Sequence, residues 1–177
     1  MTMGQGASLE NKQKFAEVFT PAPTVFEMVL LPEMRDALQD VDTPICDPCV
    51  GQGQFPAAEL VLKMFYNIDR LDDKAALRAL NSLFGIDIQL ESVDECRAHM
   101  LATICDTFEF FTGRQFDKIL FAASIIHHNF IQGDSLKDWA NCLDRLDLHY
   151  LAEKVRANHA AEKKPKRKRD DRQLTLF

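Results

Sequence analysis

The sequence predicts an α/β fold in which a small, truncated parallel sheet is flanked by helices. Three short apolar runs have the length and composition of β-strands, and amphipathic patterns with a helical period separate them. Such alternation is typical of parallel sheets, whose strands are joined by crossover helices. The predicted strands lie within 45–46, 83–88 and 129–136, and the predicted helices span 25–31, 57–66, 74–83, 91–105 and 140–159.

Local patterns justify the elements in order. Thr24 is a suitable N-cap for the first helix, which ends near Pro32 because proline cannot continue a helix. Residues 36–43 are polar and lead into the first strand. In the helix at 57–66 one side carries Leu60, Val61, Met64 and Phe65, and in the helix at 91–105 it carries Val93, Cys96, Met100, Leu101 and Ile104.

Two stretches are harder to assign. Residues 108–111 carry aromatic side chains near Gly113, which indicates the rim or the end of a helix. Residues 116–126 combine a strand-like run with small residues, and the pattern fits a helix as well as a strand.

Length and composition suit a single domain. The chain has 177 residues, of which 46% are apolar, and this is enough to build a core. We expect a disordered segment at 1–14, a folded domain at 15–159 and a flexible basic tail at 160–177. We find no run of the length of a membrane span and no signal peptide, so we expect a cytoplasmic protein with no membrane partner.

The five cysteines are an odd number and do not resemble a disulfide framework. Cys46 and Cys49 form a C-x-x-C pair, which is compatible with a metal or redox site. No second pair accompanies it, and the pair lies within a glycine-containing loop. Reduced thiols are therefore the favoured interpretation, and we predict no metal site.

Charge is distributed unevenly along the chain. The net charge is −6, but residues 163–177 hold seven basic and two acidic residues, which leaves 14 basic and 25 acidic residues elsewhere and a net charge of −11 there. An acidic body is a poor surface for a phosphate backbone. Any affinity for DNA is therefore expected in the tail, at Lys166, Arg167, Lys168 and Arg169.

The stretch from Asp47 to Phe55 organises the chain, because it joins the first strand to a helix through a glycine turn. Glycines at 51 and 53 permit positive φ and a close approach of ligand to backbone. The N–H groups at the start of the following helix point back at the turn, so the loop suits a nucleotide-like ligand. The lysine and hydroxyl of a P-loop and the third glycine of the dinucleotide fingerprint are absent, and a structural turn without a ligand stays an alternative.

The pattern Asp47-Pro48-x-x-Gly51-x-Gly53-x-Phe55 resembles the S-adenosylmethionine (SAM) loop of amino-group DNA methyltransferases, particularly the N6-adenine enzymes. The resemblance implies a partial Rossmann-like methyltransferase fold that binds SAM. In that family a Phe-Thr-Pro segment precedes the loop and closes over the methionine end of SAM. Phe19, Thr20 and Pro21 lie at the corresponding place, with a helix-entry turn as the alternative.

Two further positions match the same resemblance. A strand that ends in an acid after the glycine unit binds ribose hydroxyls in nucleotide folds, and here Asp87 would do so while Ile88 packs on adenine. Asp134 matches a family aspartate that accepts from the adenine amino group, and Leu136 would form a wall of the pocket. The alternatives are an acid favoured by a helix dipole for Asp87 and an ordinary turn for Asp134.

The catalytic signature of this family, Asn/Asp-Pro-Pro-Tyr/Phe, is absent, since no Pro-Pro occurs in the sequence and only Pro165 follows Leu136. The resemblance covers roughly residues 15–139. Half of a doubly wound sheet leaves a strand edge and apolar surface uncovered. We expect the helix at 140–159, a second copy or another chain to cover them.

The last five residues, Gln173-Leu174-Thr175-Leu176-Phe177, are similar to the pentapeptide with which bacterial DNA-processing proteins dock on the sliding clamp. The similarity implies that Leu174, Leu176 and Phe177 contact the clamp, with Gln173 bonding at the edge of an apolar pocket. The sequence thus predicts a SAM-binding, methyltransferase-like protein of DNA modification that needs a partner for catalysis. The alternative is an inactive interaction protein, such as a phage or mobile-element factor.

Overall fold

The computed structural model describes residues 20–162, and no helix within that range is long and apolar enough to cross a bilayer. The strands are β1 (Ile45–Asp47), β2 (Leu83–Asp87) and β3 (Phe130–Gln132). The helices are α1 (Ala22–Val29), α2 (Arg35–Gln39), α3 (Gln54–Tyr66), α4 (Asp73–Asn81), α5 (Leu90–Thr112), α6 (Ile119–Asn129), α7 (Ser135–Arg145) and α8 (His149–Glu162). Short 3-10 turns occupy Pro32–Met34 and Ile68–Arg70.

The three strands form one parallel sheet in the order β1-β2-β3, with Cys46 opposite Phe84 and Ile86 opposite Ile131. The predicted α/β class is confirmed. Parallel neighbours require crossover connections, which α3 with α4 and α5 with α6 supply.

The two faces of the sheet are covered unequally. Leu83 faces the larger core, together with buried side chains of α3, α4, α5 and α6. Phe84 and Ile86 point to the opposite face, where they pack against Cys142 of α7 and Leu146 just after it. Completely buried aliphatic side chains of this kind contribute roughly 1.5–3 kcal/mol each. The larger core therefore fixes the orientation of the sheet, and α7 closes the other side.

The first predicted helix is shifted. It begins at Ala22 with Pro21 as its N-cap residue, so the prediction of Thr24 as N-cap is wrong. The prolines account for the shift, because Pro23 lies at the second helical position, where no N–H is needed. The polar segment before β1 also contains the short helix α2, and α3 begins at Gln54 rather than at residue 57.

One assignment that the sequence left open is resolved, and one later prediction is wrong. Residues 119–129 form the helix α6, whose Ala122 and Ile126 are buried one turn apart. The single helix predicted at 140–159 is wrong, because the chain turns between α7 and α8 at Asp147, which has a φ of 57°. Helix α8 continues to Glu162, beyond the predicted start of the tail.

The edge of the sheet at β3 is capped by arginine side chains. Arg97 of α5 donates to the Phe130 carbonyl oxygen from Nε at 3.1 Å and from Nη2 at 2.8 Å. Arg145 of α7 donates to the Gln132 carbonyl oxygen at 2.9 Å. These outward-facing carbonyls are therefore already hydrogen-bonded.

The edge at β1 is open in the part of the chain that the structure describes, since no strand among residues 20–162 lies beyond it. The Ile45 N–H donates to Ser82 O of the β2 side at 2.8 Å. Because successive residues of a strand direct their backbone groups to opposite sides, the N–H and C=O of Cys46 point away from β2.

Candidate cofactor site at the carboxyl ends of the strands

Hydrogen bonds within the glycine loop stabilise its conformation after β1. The Asp47 carboxylate accepts a hydrogen bond from the Cys49 N–H at 2.9 Å, and the Gly53 N–H donates to Val50 O at 2.9 Å. Gly51 and Gly53 have φ values of 53° and 84°. Both lie in the left-handed region, which glycine adopts without steric cost.

The two glycines differ in what surrounds them. A Cβ on Gly53 would lie 2.7 Å from Cys96 Sγ, so this position is fixed by close packing of the loop on α5. A Cβ on Gly51 would meet no atom of the described residues within 4 Å. The space above Gly51 is therefore accessible to a ligand that approaches the backbone.

Asp87, at the end of β2, contacts this loop directly. Its Oδ2 accepts from the Gly51 N–H at 3.0 Å, and its Oδ1 accepts from the Gln89 N–H at 2.9 Å. The structure thus brings together the predicted acid and the predicted glycine, which are 36 residues apart in the chain. Each carboxylate oxygen keeps a further acceptor site, so Asp87 can also accept from a hydroxyl group.

Helix α5 positions the loop through polar side chains that the sequence analysis did not single out. His99 Nδ1 lies 3.1 Å from the Gln52 carbonyl oxygen, and the Gln52 amide donates to the Glu95 carboxylate. Glu95 and His99 are four residues apart, which places them on one face of a helix. That spacing is the signal that could have indicated their role.

A further contact joins the start of α7 to the loop. The Ser135 hydroxyl donates to the Pro48 carbonyl oxygen at 2.6 Å, so the start of α7 lies beside the end of β1. Asp134 is the N-cap residue of α7, where its carboxylate accepts from the Lys137 N–H at 3.1 Å and pairs with Lys137 Nζ at 3.0 Å. These interactions lower the pKa of Asp134.

The apolar residues predicted to line an adenine pocket are solvent-exposed. The exposed fraction is 48% for Ile88 and 92% for Leu136. Neither side chain is enclosed by the described residues, and both lie beside acids that cap or hold backbone groups.

The segment predicted to cover the methionine end lies at the start of α1. The Pro21 carbonyl oxygen accepts from the Val25 N–H at 3.1 Å, which is the first bond of the helix. Ala22 lines a cavity of about 190 Å³ together with Gln54, the first residue of α3, and His99. Thr20 and Pro21 directly precede this cavity-lining residue, whereas Phe19 lies outside the described residues.

Burial perturbs the titration of groups around β1. It raises the pKa of the Cys46 and Cys96 thiols to about 12, so both are protonated at neutral pH. Burial also raises the pKa of Asp47, and it raises that of Glu59 on α3 to about 7. The same cause lowers the pKa of Lys63 to about 8.

The remaining predicted residues lie outside residues 20–162. They are the basic positions Lys166, Arg167, Lys168 and Arg169, and the pentapeptide positions Gln173, Leu174, Leu176 and Phe177. Their predicted contacts with DNA and with a clamp stay predictions.

Comparison of the chain with protein-family models, curated proteins and solved structures found no match. The methyltransferase resemblance consequently rests on the residues of this chain and on their arrangement.

Proposed function

We propose that this protein is a SAM-binding domain of a DNA-modification system, related to the N6-adenine methyltransferases, that works with a partner carrying the catalytic motif. One observation carries the proposal: the Gly51 N–H donates to the Asp87 carboxylate at 3.0 Å. A glycine loop after one parallel strand and an acid at the end of the next are the two elements that hold a nucleoside in folds of this kind. Here they are in direct contact.

The sheet topology supports the same proposal. The order β1-β2-β3 corresponds to one half of the doubly wound order 3-2-1-4-5-6. Helices α3 to α6 cover one face, and α7 lies on the opposite face after β3. In a doubly wound sheet the connection that leaves the third strand runs over that opposite face, toward a strand beside the first.

The residues fit the cofactor in the following way. The open space above Gly51 would receive the nucleoside, and Asp87 would accept from the ribose hydroxyls. Thr20 and Pro21 would cover the methionine end, as the family resemblance implies. SAM supplies an electrophilic methyl group when bound. This chain has no Pro-Pro segment with which to hold a target base, so that segment would come from the partner.

Titration calorimetry of the full chain with SAM tests the proposal. We expect a dissociation constant in the micromolar range, weakened roughly 10- to 100-fold in Asp87→Asn, because hydrogen bonds to a carboxylate contribute about 1.5–3 kcal/mol. Asp106→Asn is the matched control, since Asp106 is an exposed acid of α5 two turns beyond His99. A folded protein that does not bind SAM would overturn the proposal.

A second candidate is an interaction protein that uses the fold as a scaffold. It is favoured by the region after β3, where Asp134 caps α7 and Leu136 is 92% exposed instead of forming a pocket wall. Its activity would depend on the tail, through DNA contacts at 166–169 and clamp docking at 173–177. Binding of the full chain to a purified bacterial sliding clamp, with and without residues 173–177, tests this second candidate. Equal binding of both forms would show that the pentapeptide does not contribute to clamp binding.

A further inference from the structure

An apolar groove runs along the open edge of β1. Its volume is about 510 Å³, and its base is formed by Ile45, Cys46 and Asp47. One wall is formed by residues at the end of α1 and just after it, among them Leu31 and Met34. Helix α3 forms the other wall. The outward N–H and C=O of Cys46 lie along this groove, and Pro44 and Pro48 on either side have no N–H, so Cys46 supplies the one outward backbone donor beside the apolar contacts.

One buried acid in the groove has no partner. Glu59 of α3 lines the groove and is only 5% exposed, and among residues 20–162 no group donates a hydrogen bond to its carboxylate. Lys63, one turn away, is committed elsewhere, because its ammonium donates to the carbonyl oxygens of Asp40 and Thr43 at 2.8 Å each. A buried charge without a hydrogen-bonding partner is unfavourable, and this one is located where an incoming group could reach it.

We propose that the groove receives an extended segment of another protein, which adds a strand to β1 and places a lysine or arginine side chain against Glu59. Strand addition supplies main-chain hydrogen bonds, while pockets for alternate side chains supply specificity. Glu59 and the apolar side chains of the walls are such pockets. The segment is therefore apolar at the positions that flank the basic residue on the same face.

Charge selects this occupant over a second copy of the chain. Glu33 and Asp47 also line the groove, which therefore has three acidic residues including Glu59. Pairing of two β1 edges would bring the same acids of both copies together, and like charges across strands are destabilising. A basic segment neutralises the groove instead.

The role given to the partner rests on the proposed function. The docking of the segment rests only on the groove. The groove shares Asp47, Pro48 and Phe55 with the glycine loop, but Glu59 itself takes no part in the Gly51–Asp87 contact. We expect SAM titration of Glu59→Gln to match the unmodified protein. Loss of SAM binding with retained peptide binding would reject the proposed function alone.

The probe is the synthetic peptide acetyl-Thr-Val-Thr-Lys-Thr-Val-Thr-amide, in which valine and lysine share one face of a strand. Matched peptides carry norleucine or glutamate in place of lysine. Titration of the full, ¹⁵N-labelled chain is followed by amide chemical shifts. We expect the lysine peptide to bind at least fivefold more tightly than the norleucine peptide, with shifts at Ile45, Cys46 and Asp47 and in α3, and the glutamate peptide to bind most weakly.

Two variants and one matched control identify the contact. Glu59→Gln keeps the shape of the side chain and should remove the preference for lysine, while Glu91→Gln, at an exposed acid of α5, should keep it. Leu31→Ser, at a wall residue that is 50% exposed, should weaken all three peptides without affecting folding.

Equal binding of the lysine and norleucine peptides, or shifts confined to other surfaces, would overturn the inference. So would failure of the lysine peptide to bind. In that case, protection of the Cys46 amide from hydrogen exchange in the free protein would mean that the groove is filled by this chain or by a second copy. Sedimentation velocity separates those two occupants.

Discussion

The two edges of the sheet satisfy their backbone groups in different ways. At β3, the outward carbonyls of Phe130 and Gln132 are bonded by Arg97 and Arg145, which are side chains of the same chain. At β1, the outward groups belong to Cys46 and lie beside an apolar groove. Proteins protect sheet edges that are to stay solitary. Proline also limits the β1 edge, because Pro44 and Pro48 occupy the outward positions on either side of Cys46 and have no N–H. The two edges therefore differ in that arginine side chains bond the carbonyls of β3, whereas β1 keeps one outward backbone donor, at Cys46.

The largest effect is expected at Lys63, which supports the approach to the open edge. Lys63 is completely buried, and its ammonium donates to two carbonyl oxygens that precede β1. Lys63→Met should lower the free energy of unfolding by about 3 kcal/mol, because it leaves both carbonyls without a donor. Urea unfolding measures the change, with the exposed Lys74→Met as control. If Lys63→Met lowers the free energy of unfolding no more than Lys74→Met does, the segment before β1 does not depend on the hydrogen bonds of Lys63.

The closed edge should respond next. Arg97→Ala removes the donors to Phe130 O and to His127 O, and the expected loss is roughly 2 kcal/mol. It also uncovers a strand edge, so sedimentation velocity should detect more self-association than in the unmodified protein. A variant that stays monomeric at high concentration would show that α5 covers β3 without the arginine.

Glu59, beside the open edge, should make the free energy of unfolding depend on pH. Burial holds its folded pKa at about 7, above the usual value of 4.5, so its contribution to stability is present below pH 4.5 and is lost as pH rises through 7. The free energy of unfolding of the unmodified protein should therefore fall by roughly 2–3 kcal/mol over that interval. Glu59→Gln should fall much less, the remainder coming from Asp47, whose pKa is also raised.

Guanidinium unfolding at a series of pH values measures both slopes. Identical pH slopes for the two proteins would mean that Glu59 is ionised and paired in the folded chain. The β1 edge would then have no unpaired acid to distinguish it from the β3 edge.

The smallest effect belongs to Arg145. Its side chain is exposed and donates a single hydrogen bond, to Gln132 O at 2.9 Å. Arg145→Ala should cost about 0.5–1 kcal/mol in urea unfolding. A cost equal to that of Arg97→Ala would place the protection of the β3 edge equally on both arginines.

Much of the fold could be predicted from local patterns. The alternation of strands and helices gave the parallel sheet, and the buried side of α5 was predicted correctly at Val93, Cys96, Met100 and Ile104. The contact between Gly51 and Asp87 also follows from sequence order, because the carboxyl ends of adjacent parallel strands meet at one edge.

Other features depend on tertiary packing that no local pattern encodes. Glu59 and Lys63 have the spacing of an exposed ion pair on a helix, yet both are buried, because α3 is covered on more than one side. Phe65 of the same helix was predicted on the apolar side and is 52% exposed. The capping of β3 by Arg97 depends on the strand register, which brings residues 33 positions apart together.

The arginine caps also limit stoichiometry. Arg97 and Arg145 leave the sheet of residues 20–162 able to grow in one direction only. A subunit with a single acceptor edge joins one neighbour through its sheet and then has no further edge to offer. Complexes formed in this way close at a ratio of one to one, and the same feature opposes growth into open-ended fibres.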